Sequence, residues 1–467
     1  MRMRDASRDG LAWDDGILGL EPRWVREPEI EAIAAVCRRH LGIPANAPES
    51  DCAVFFHTAG SYNKLYLVDS VRGRYIMRVS LPVDPGNKTR GEVTTLQLVR
   101  RKTDVHVPAV VAYDDTATSE IGFEWILMEL MPGRPAYYRW RRMTMSQKET
   151  LVARVAEFQA QLFRCGNLGD GFRGIGTLGV GPTPDIATIV EPGPIVSPVF
   201  FQGPHYHYAV PRGPFGCSHD WLRAHLLIVI KEHTTALSSS RDDDSFDQTE
   251  REYAEGILRV ARKLLRLLPK IFPAVVHPDE RTVLWHDDLS LMNLMVDDTG
   301  RITAVIDWES VSTMPRWVAS QMPEFLRGAV REERPDRSVY TDVSDDEGSP
   351  DELDDSLDNE GKTELYWIHL MEYEQTQLRK VYSSRMRQLR GSSWDVDVTE
   401  SALKVDFLEA VLRCNAGFYL KRVEQWVDAI ERREFLGLDE VLRIGIRKDK
   451  RAKTNNRASK TLTTTKK

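Results

Sequence analysis

The residues best placed to do chemistry lie in one stretch, Leu284-Trp285-His286-Asp287-Asp288-Leu289-Ser290-Leu291-Met292-Asn293-Leu294-Met295-Val296-Asp297. It reads as a short apolar strand, a polar loop and a second apolar strand. Within the loop, Asp288 stands two residues after His286 and is followed five residues later by Asn293, and a further strand, Ile302 to Ile306, delivers Asp307. A hairpin that gathers Asp288, Asn293 and Asp307 can orient a hydroxyl through one carboxylate. The amide oxygen and the other carboxylate can then hold Mg²⁺ against the phosphates of a nucleotide. Magnesium suits such a set because it prefers few, hard oxygen ligands and keeps several waters. Asp and Asn are also ordinary turn formers, and His286 has a plainer reading as a satisfied core histidine. The arrival of Asp307 at hairpin distance, between apolar neighbours, favours the chemical reading.

The elements that must position this loop come earlier in the chain. Ala53 to Phe56, Lys64 to Val68 and Tyr75 to Val79 read as three successive strands, with Arg72-Gly73 as the second turn. The first turn, His57 to Asn63, contains Gly60, Ser61, Tyr62 and Asn63. Such a loop can lay backbone N–H groups over phosphates, although with a single glycine an ordinary hairpin is the simpler reading. The pattern predicts a helix from near Arg90 that carries Glu92, then an apolar strand from Phe123 to Met131 closed by Pro132-Gly133. Before all of these, the acidic start at Glu29 and the breakers Gly42 and Pro44 frame an amphipathic helix.

The order of these parts resembles the aminoglycoside phosphotransferase and choline kinase family within the protein-kinase-like fold. Leu-Trp-His-Asp-Asp-Leu-Ser-Leu-Met-Asn-Leu-Met and the ending Ile306-Asp307-Trp308-Glu309 carry the resemblance, and Gly60-Ser61-Tyr62-Asn63-Lys64-Leu65-Tyr66 is similar to fungal members. It covers roughly residues 50–330. The resemblance implies a bilobal α+β fold with a small antiparallel-sheet lobe and a large, mainly helical lobe. It also implies ATP and Mg²⁺ as cofactors and a hydroxyl of a small molecule as phosphate acceptor. Asp288 is then the catalytic base, His286 supports the loop from behind, and Asn293 and Asp307 are metal ligands. Gly60, Ser61, Tyr62, Asn63, Arg78, Glu92 and the strand residues Met128, Glu129, Leu130 and Met131 meet the nucleotide. Two positions depart from the family pattern. Arg78 stands where a lysine usually grips phosphate, and Arg and Lys are not equivalent there; Lys88 is a nearby substitute, but its place reads as loop. Asp287 stands where glycine is usual and adds negative charge beside the base. Both departures favour a rival reading, a pseudokinase-like nucleotide-binding or scaffold protein with little turnover. Glu309 is expected either to contact substrate or to be an exposed structural residue.

The resulting organisation is an N-terminal helical extension over residues 1–50, a nucleotide-binding lobe over 51–131 and a helical lobe over 132–446, with the catalytic loop at 284–309. The proline- and glycine-rich part from Gly166 to Gly216 reads as a long irregular excursion. Its His205-Tyr206-His207-Tyr208 fits a surface aromatic loop better than a metal site, since no carboxylate or thiolate partner stands nearby. Residues 332–362, rich in Asp and Glu, read as a disordered insertion, and 447–467 as a basic flexible tail.

Composition bounds the rest. With 467 residues, 42% hydrophobic and 28% charged, the chain is of the ordinary globular class and long enough for two or three compact units. A net charge of −7 supplies no global basic field and argues against nucleic acid or a membrane surface as partner, leaving binding through the tail as a lesser alternative. No apolar run suits a membrane span or a secretory signal. The five widely spaced cysteines suggest neither a disulfide framework nor a zinc site. An intracellular, cytoplasmic setting is expected, with mitochondria and nucleus left open; protein partners and oligomeric state are not legible.

Overall fold

Strands Cys52–Ala59 (β3), Asn63–Ser70 (β4), Gly73–Ser80 (β5), Val110–Asp114 (β6) and Glu124–Glu129 (β7) form one antiparallel sheet in the order β3-β4-β5-β7-β6. A hairpin of Leu11–Gly16 (β1) and Gly19–Trp24 (β2) precedes it, an element that the reading of residues 1–50 as a helical extension does not include. Helix Ile30–Leu41 (α1) ends at Gly42, whose φ of +66° is a left-handed cap that glycine adopts without strain. Helix Asn87–Lys102 (α2) follows β5. In this computed structural model the described residues are 8–16, 19–166, 171–180, 190–239, 248–274, 279–340, 360–434, 437–438 and 440–442. The central part of the acidic insertion (341–359) and the basic tail (447–467) lie outside them.

Period-two alternation decides which side chain faces which partner. Met77 and Val79 of β5, with Trp125 and Leu127 of β7, pack against Ile33, Val36 and Cys37 of α1. Ile76, Ile126 and Met128 face the other way and meet Val93 of α2. Arg78 belongs to this second face by parity and is therefore aimed at α2. Its register partner is Ile126.

The chain divides into two compact units, one of Met1–Ser197 with Arg281–Val396, the other of Pro198–Glu280 with Asp397–Lys467. In the first unit, Arg134–Pro135 (β8), Leu294–Val296 and Ile302–Val305 form a three-stranded sheet that carries the candidate catalytic loop. Ala136–Trp140 (α3) and Met145–Leu162 (α4) follow β8, and a capping box between Thr144 and Gln147 starts α4. The Gly166–Gly216 segment is not wholly irregular. Phe172–Arg173, Gly176–Val180 and Val190–Pro192 join Arg281–Trp285 and Ser312–Pro315 in a five-stranded sheet. Pro192 is tolerated because its strand is at the edge, where a missing N–H breaks no ladder.

In the second unit, helix Gln248–Ile271 buries Ile257, Val260, Leu264, Leu267 and Leu268 on one face. It packs against helices Ser218–Ser239 and Gly417–Glu431. His205–His207 lies in a 3-10 turn in which Tyr206 is buried while His207 stays exposed. Among the described residues, no group of three or more His, Cys, Asp and Glu side chains could hold a metal, and no helix is long and apolar enough to cross a membrane.

Candidate active site

The Leu294–Val296 strand pairs with Ile302–Val305, Leu294 facing Val305, and Ile306 N–H donates to the Asn293 carbonyl at 3.0 Å. This hairpin places Asn293 beside the start of the Asp307 segment. Asn293 Nδ2 donates to the Asp288 carbonyl at 2.9 Å and to Asp288 Oδ2 at 2.8 Å. Both contacts use the amide nitrogen, so Oδ1 is the Asn293 atom left to offer a cation. Asp288 itself is exposed. Asp307 has φ +63°, in the left-handed region that Asp tolerates better than most residues.

His286 lies behind this loop rather than in the cleft. Its ring is buried, stacks edge-on with Trp308 at 4.8 Å, and its Nε2 donates to the Ile306 carbonyl at 3.2 Å. Nε2 must carry the proton, because a carbonyl can only accept. Burial holds the imidazole pKa below its usual value against the opposing pull of the Ile306 carbonyl and of Asp307, so a neutral ring braces the hairpin. The charge added by Asp287 is turned aside. Its Oδ1 accepts from Trp285 Nε1 at 3.2 Å, and Arg327 lies 3.9 Å away.

From the sheet side, Arg78 is buried and its guanidinium meets three carboxylates: Nη1 reaches Glu92 at 2.9 Å, and Nη2 reaches Asp307 at 3.1 Å and Glu309 at 2.6 Å. Burial alone would lower the Arg78 pKa, but the three acids together raise it. Glu309 is held well below the usual carboxylate range: burial opposes its charge, and Arg78 and Lys88 overcome that opposition. Glu92 is pushed up by burial despite both cations.

Lys88 is the residue that sequence reasoning misplaced. The helix starts at Asn87 rather than near Arg90, so Lys88 sits in its first turn. Its buried ammonium reaches Asn63 Oδ1 at 2.6 Å, Glu309 Oε2 at 2.7 Å and Ser80 Oγ at 3.3 Å. Gly86 precedes the helix with φ +75°, and its N–H donates to Glu124 at 2.6 Å, which fixes this early start. Of the two readings of Glu309, the exposed structural residue does not hold: it is mostly buried among cations and lines the cleft. The signal available was its position two residues after Asp307, facing a sheet that carries Arg78.

The loop between β3 and β4 is closed by Gly60 N–H donating to the Asn63 carbonyl at 2.9 Å. At the end of β7, Glu129 N–H donates to the Ala109 carbonyl at 2.9 Å, which leaves Leu130 and Met131 as the next residues at the cleft. Gly60, Ser61, Tyr62, Asn63, Arg78, Glu92, Met128, Glu129, Leu130, Met131, Asp288, Asn293 and Asp307 all line one cleft of about 860 Å³. Of the residues singled out from the sequence around the site, His286, Asp287 and Lys88 are outside that lining. The size is within the ordinary range for a small-ligand site, about 300–1,000 Å³.

A profile of the Phosphotransferase enzyme family matches residues 56–318. Two subtelomeric hrmA-associated cluster proteins from strains of Aspergillus fumigatus are each 27% identical, the first over 309 residues, and each match covers 57% of this chain. The chain thus spans 59% of the length of these relatives. A shorter stretch, 22% of this chain, is 27% identical to 18% of the mitochondrial protein "Altered inheritance of mitochondria protein 9" of Candida tropicalis. Among solved structures, the gentamicin complex of aminoglycoside phosphotransferase APH(2″)-IIa is similar at 13% identity and a TM-score of 0.42, covering 87% of this chain and 96% of that one. A thermostable mutant of APH(4)-Ia with ADP and hygromycin B gives 14% identity and 0.40, covering 85% and 98%. With more than half its residues inside the matched region, the chain belongs to the Phosphotransferase enzyme family and has the bilobal, protein-kinase-like α+β fold.

Proposed function

We propose that the protein is an ATP- and Mg²⁺-dependent phosphotransferase that moves the γ-phosphate to a hydroxyl of a small molecule. One observation carries the reading: Asp288, Asn293 and Asp307 share a cleft with the Gly60–Asn63 turn and the Met128–Met131 strand end. The donor set suits magnesium. Asn293 keeps Oδ1 because its nitrogen is committed to Asp288, and Arg78 meets Asp307 at Oδ1, leaving Oδ2 as the oxygen to offer. Asn293 Oδ1 and Asp307 Oδ2 would hold Mg²⁺, which would supply charge neutralisation at the phosphates. The chain's own residues do the rest by positioning. Leu130 and Met131 meet the base, the Gly60–Asn63 turn covers the phosphates, and Asp288 aligns the acceptor hydroxyl and takes its proton. Asn293 Nδ2 fixes Oδ2 of Asp288 for that task.

Asp288→Asn keeps the side-chain shape and removes the base. Turnover against a panel of hydroxylated small molecules should fall about 10²–10⁴-fold. Nucleotide affinity by calorimetry should stay within about threefold, because the base meets the acceptor rather than the nucleotide. Undiminished phosphoryl transfer in this variant would remove Asp288 from the role.

A second reading, a nucleotide-binding module without turnover, is favoured by one observation: the Arg78 guanidinium is already engaged by three carboxylates. Nucleotide binding by the native protein without transfer to any acceptor in the panel, and without ATP hydrolysis, would select it.

A further inference from the structure

We propose that Glu309 is a positioning residue for Asp307, because one of its carboxylate oxygens gathers Arg78 of β5, Lys88 of α2 and Asn63 of β4 onto the turn that carries the metal-facing acid. This rests on the phosphotransferase reading. Oε2 of Glu309 is in ion-pair contact with Arg78 Nη2 at 2.6 Å and Lys88 Nζ at 2.7 Å, and accepts from Asn63 Nδ2 at 2.7 Å. The same Arg78 nitrogen reaches Asp307 at a longer 3.1 Å. Glu309 thus competes with Asp307 for one guanidinium nitrogen and holds the nearer place. Lys88 and Asn63 keep it there, and they are tied to each other at 2.6 Å.

The turn needs such an anchor. Asp307 and Ser310 both have positive φ, +63° and +61°, and non-glycine residues persist there only where their surroundings fix them. Trp308, buried between them, donates Nε1–H to the Val305 carbonyl at 2.9 Å and holds one side; Glu309 holds the other. Remove the Glu309 charge, and Arg78 has only Asp307 left on that nitrogen. The acid is then drawn toward the guanidinium and away from a cation.

The test is calorimetry of ATP binding to the full-length protein, with and without Mg²⁺, for native, E309Q, E309D, R78M and R78M/E309Q proteins. Partners that orient a metal ligand typically affect metal affinity by 10- to 100-fold, so E309Q should raise the half-saturating Mg²⁺ about tenfold. Metal-free ATP affinity should be unchanged or tighter, since the cations are less neutralised. E309D keeps the charge and should shift the Mg²⁺ requirement less than about threefold, and in the R78M background E309Q should add less than about twofold. The inference is overturned if E309Q matches the native Mg²⁺ dependence. It is also overturned if metal-free and metal-loaded affinities fall together, which marks a general structural role. A further tenfold loss on adding E309Q to R78M would make Glu309 a direct ligand and overturn it too. Native protein that binds no MgATP would overturn the phosphotransferase reading and this inference with it.

Discussion

Replacing Arg78 by lysine restores the residue usual at its position in the family this chain resembles, and the sequence alone suggests that R78K would gain activity. The structure predicts the reverse. The guanidinium spans Glu92 with Nη1 and both Asp307 and Glu309 with Nη2. A lysine ammonium is a single point on a flexible stem and cannot hold this divided geometry. Losing one charge-assisted contact costs about 1.5–3 kcal/mol. Part of that is offset, because Arg78 Nε is buried with no hydrogen-bond partner and lysine carries no such group. The net expectation for R78K is about 1–2 kcal/mol of lost stability. R78M removes the cation altogether and leaves buried acids uncompensated, a class of change that costs about 3–5 kcal/mol. Urea unfolding followed by circular dichroism should therefore rank native above R78K above R78M. The nucleotide assays should show R78K below native in Mg²⁺-dependent ATP affinity. Two results would refute the reasoning: R78M within about 0.5 kcal/mol of native, the usual range for a neutral surface change, or R78K turning over faster than the native protein.

Two further predictions concern the core around the site. Burial raises Glu124 to about 7, against the lowering effects of Thr89, Gly86 N–H and Lys88. Its folded pKa therefore exceeds the unfolded value of 4.5, so the native state holds the extra proton between those two pH values. Stability from this group is full below pH 4.5 and is lost as pH rises through about 7. The ceiling on that loss is about 3 kcal/mol. Melting temperatures of E124Q should show a shallower fall from mildly acidic to mildly alkaline pH than native; parallel profiles would refute the assignment. The five cysteines are all buried and free, and burial pushes Cys37, Cys165 and Cys414 up to about 12. Iodoacetamide at mildly alkaline pH should leave the native protein unlabelled and modify all five thiols in denaturant. Rapid stoichiometric labelling of the folded chain would contradict that burial.

What was legible in the sequence was short in range. His286, Asp288, Asn293 and Asp307 could be placed together because two adjacent strands and one loop bring them together, and period-two patterning alone specifies that. The cleft face of β5 was readable for the same reason. The partners of Arg78 were less so. The Glu92 contact spans 14 residues, but the Asp307 contact spans 229 and the Asn63–Glu309 bond spans 246. A lysine after Pro-Gly-Asn, or a glutamate after an aromatic residue, carries no mark of burial in its neighbours. Each reads by default as a solvated charge, because an unpaired one would be too costly to bury. Lys88 and Glu309 are buried only because they neutralise each other, and such a pair is invisible until the lobes are brought together. The helical periodicity of Gln248–Ile271 likewise announced an apolar face without naming the helices that would cover it. The departure from the family pattern at Arg78 and the buried place of Lys88 are thus one feature. The two terminal nitrogens of Arg78 are divided among three acids, and Lys88 shares Glu309 with it, so two cations meet that carboxylate. A change at either cation should therefore be felt through Glu309 at the other.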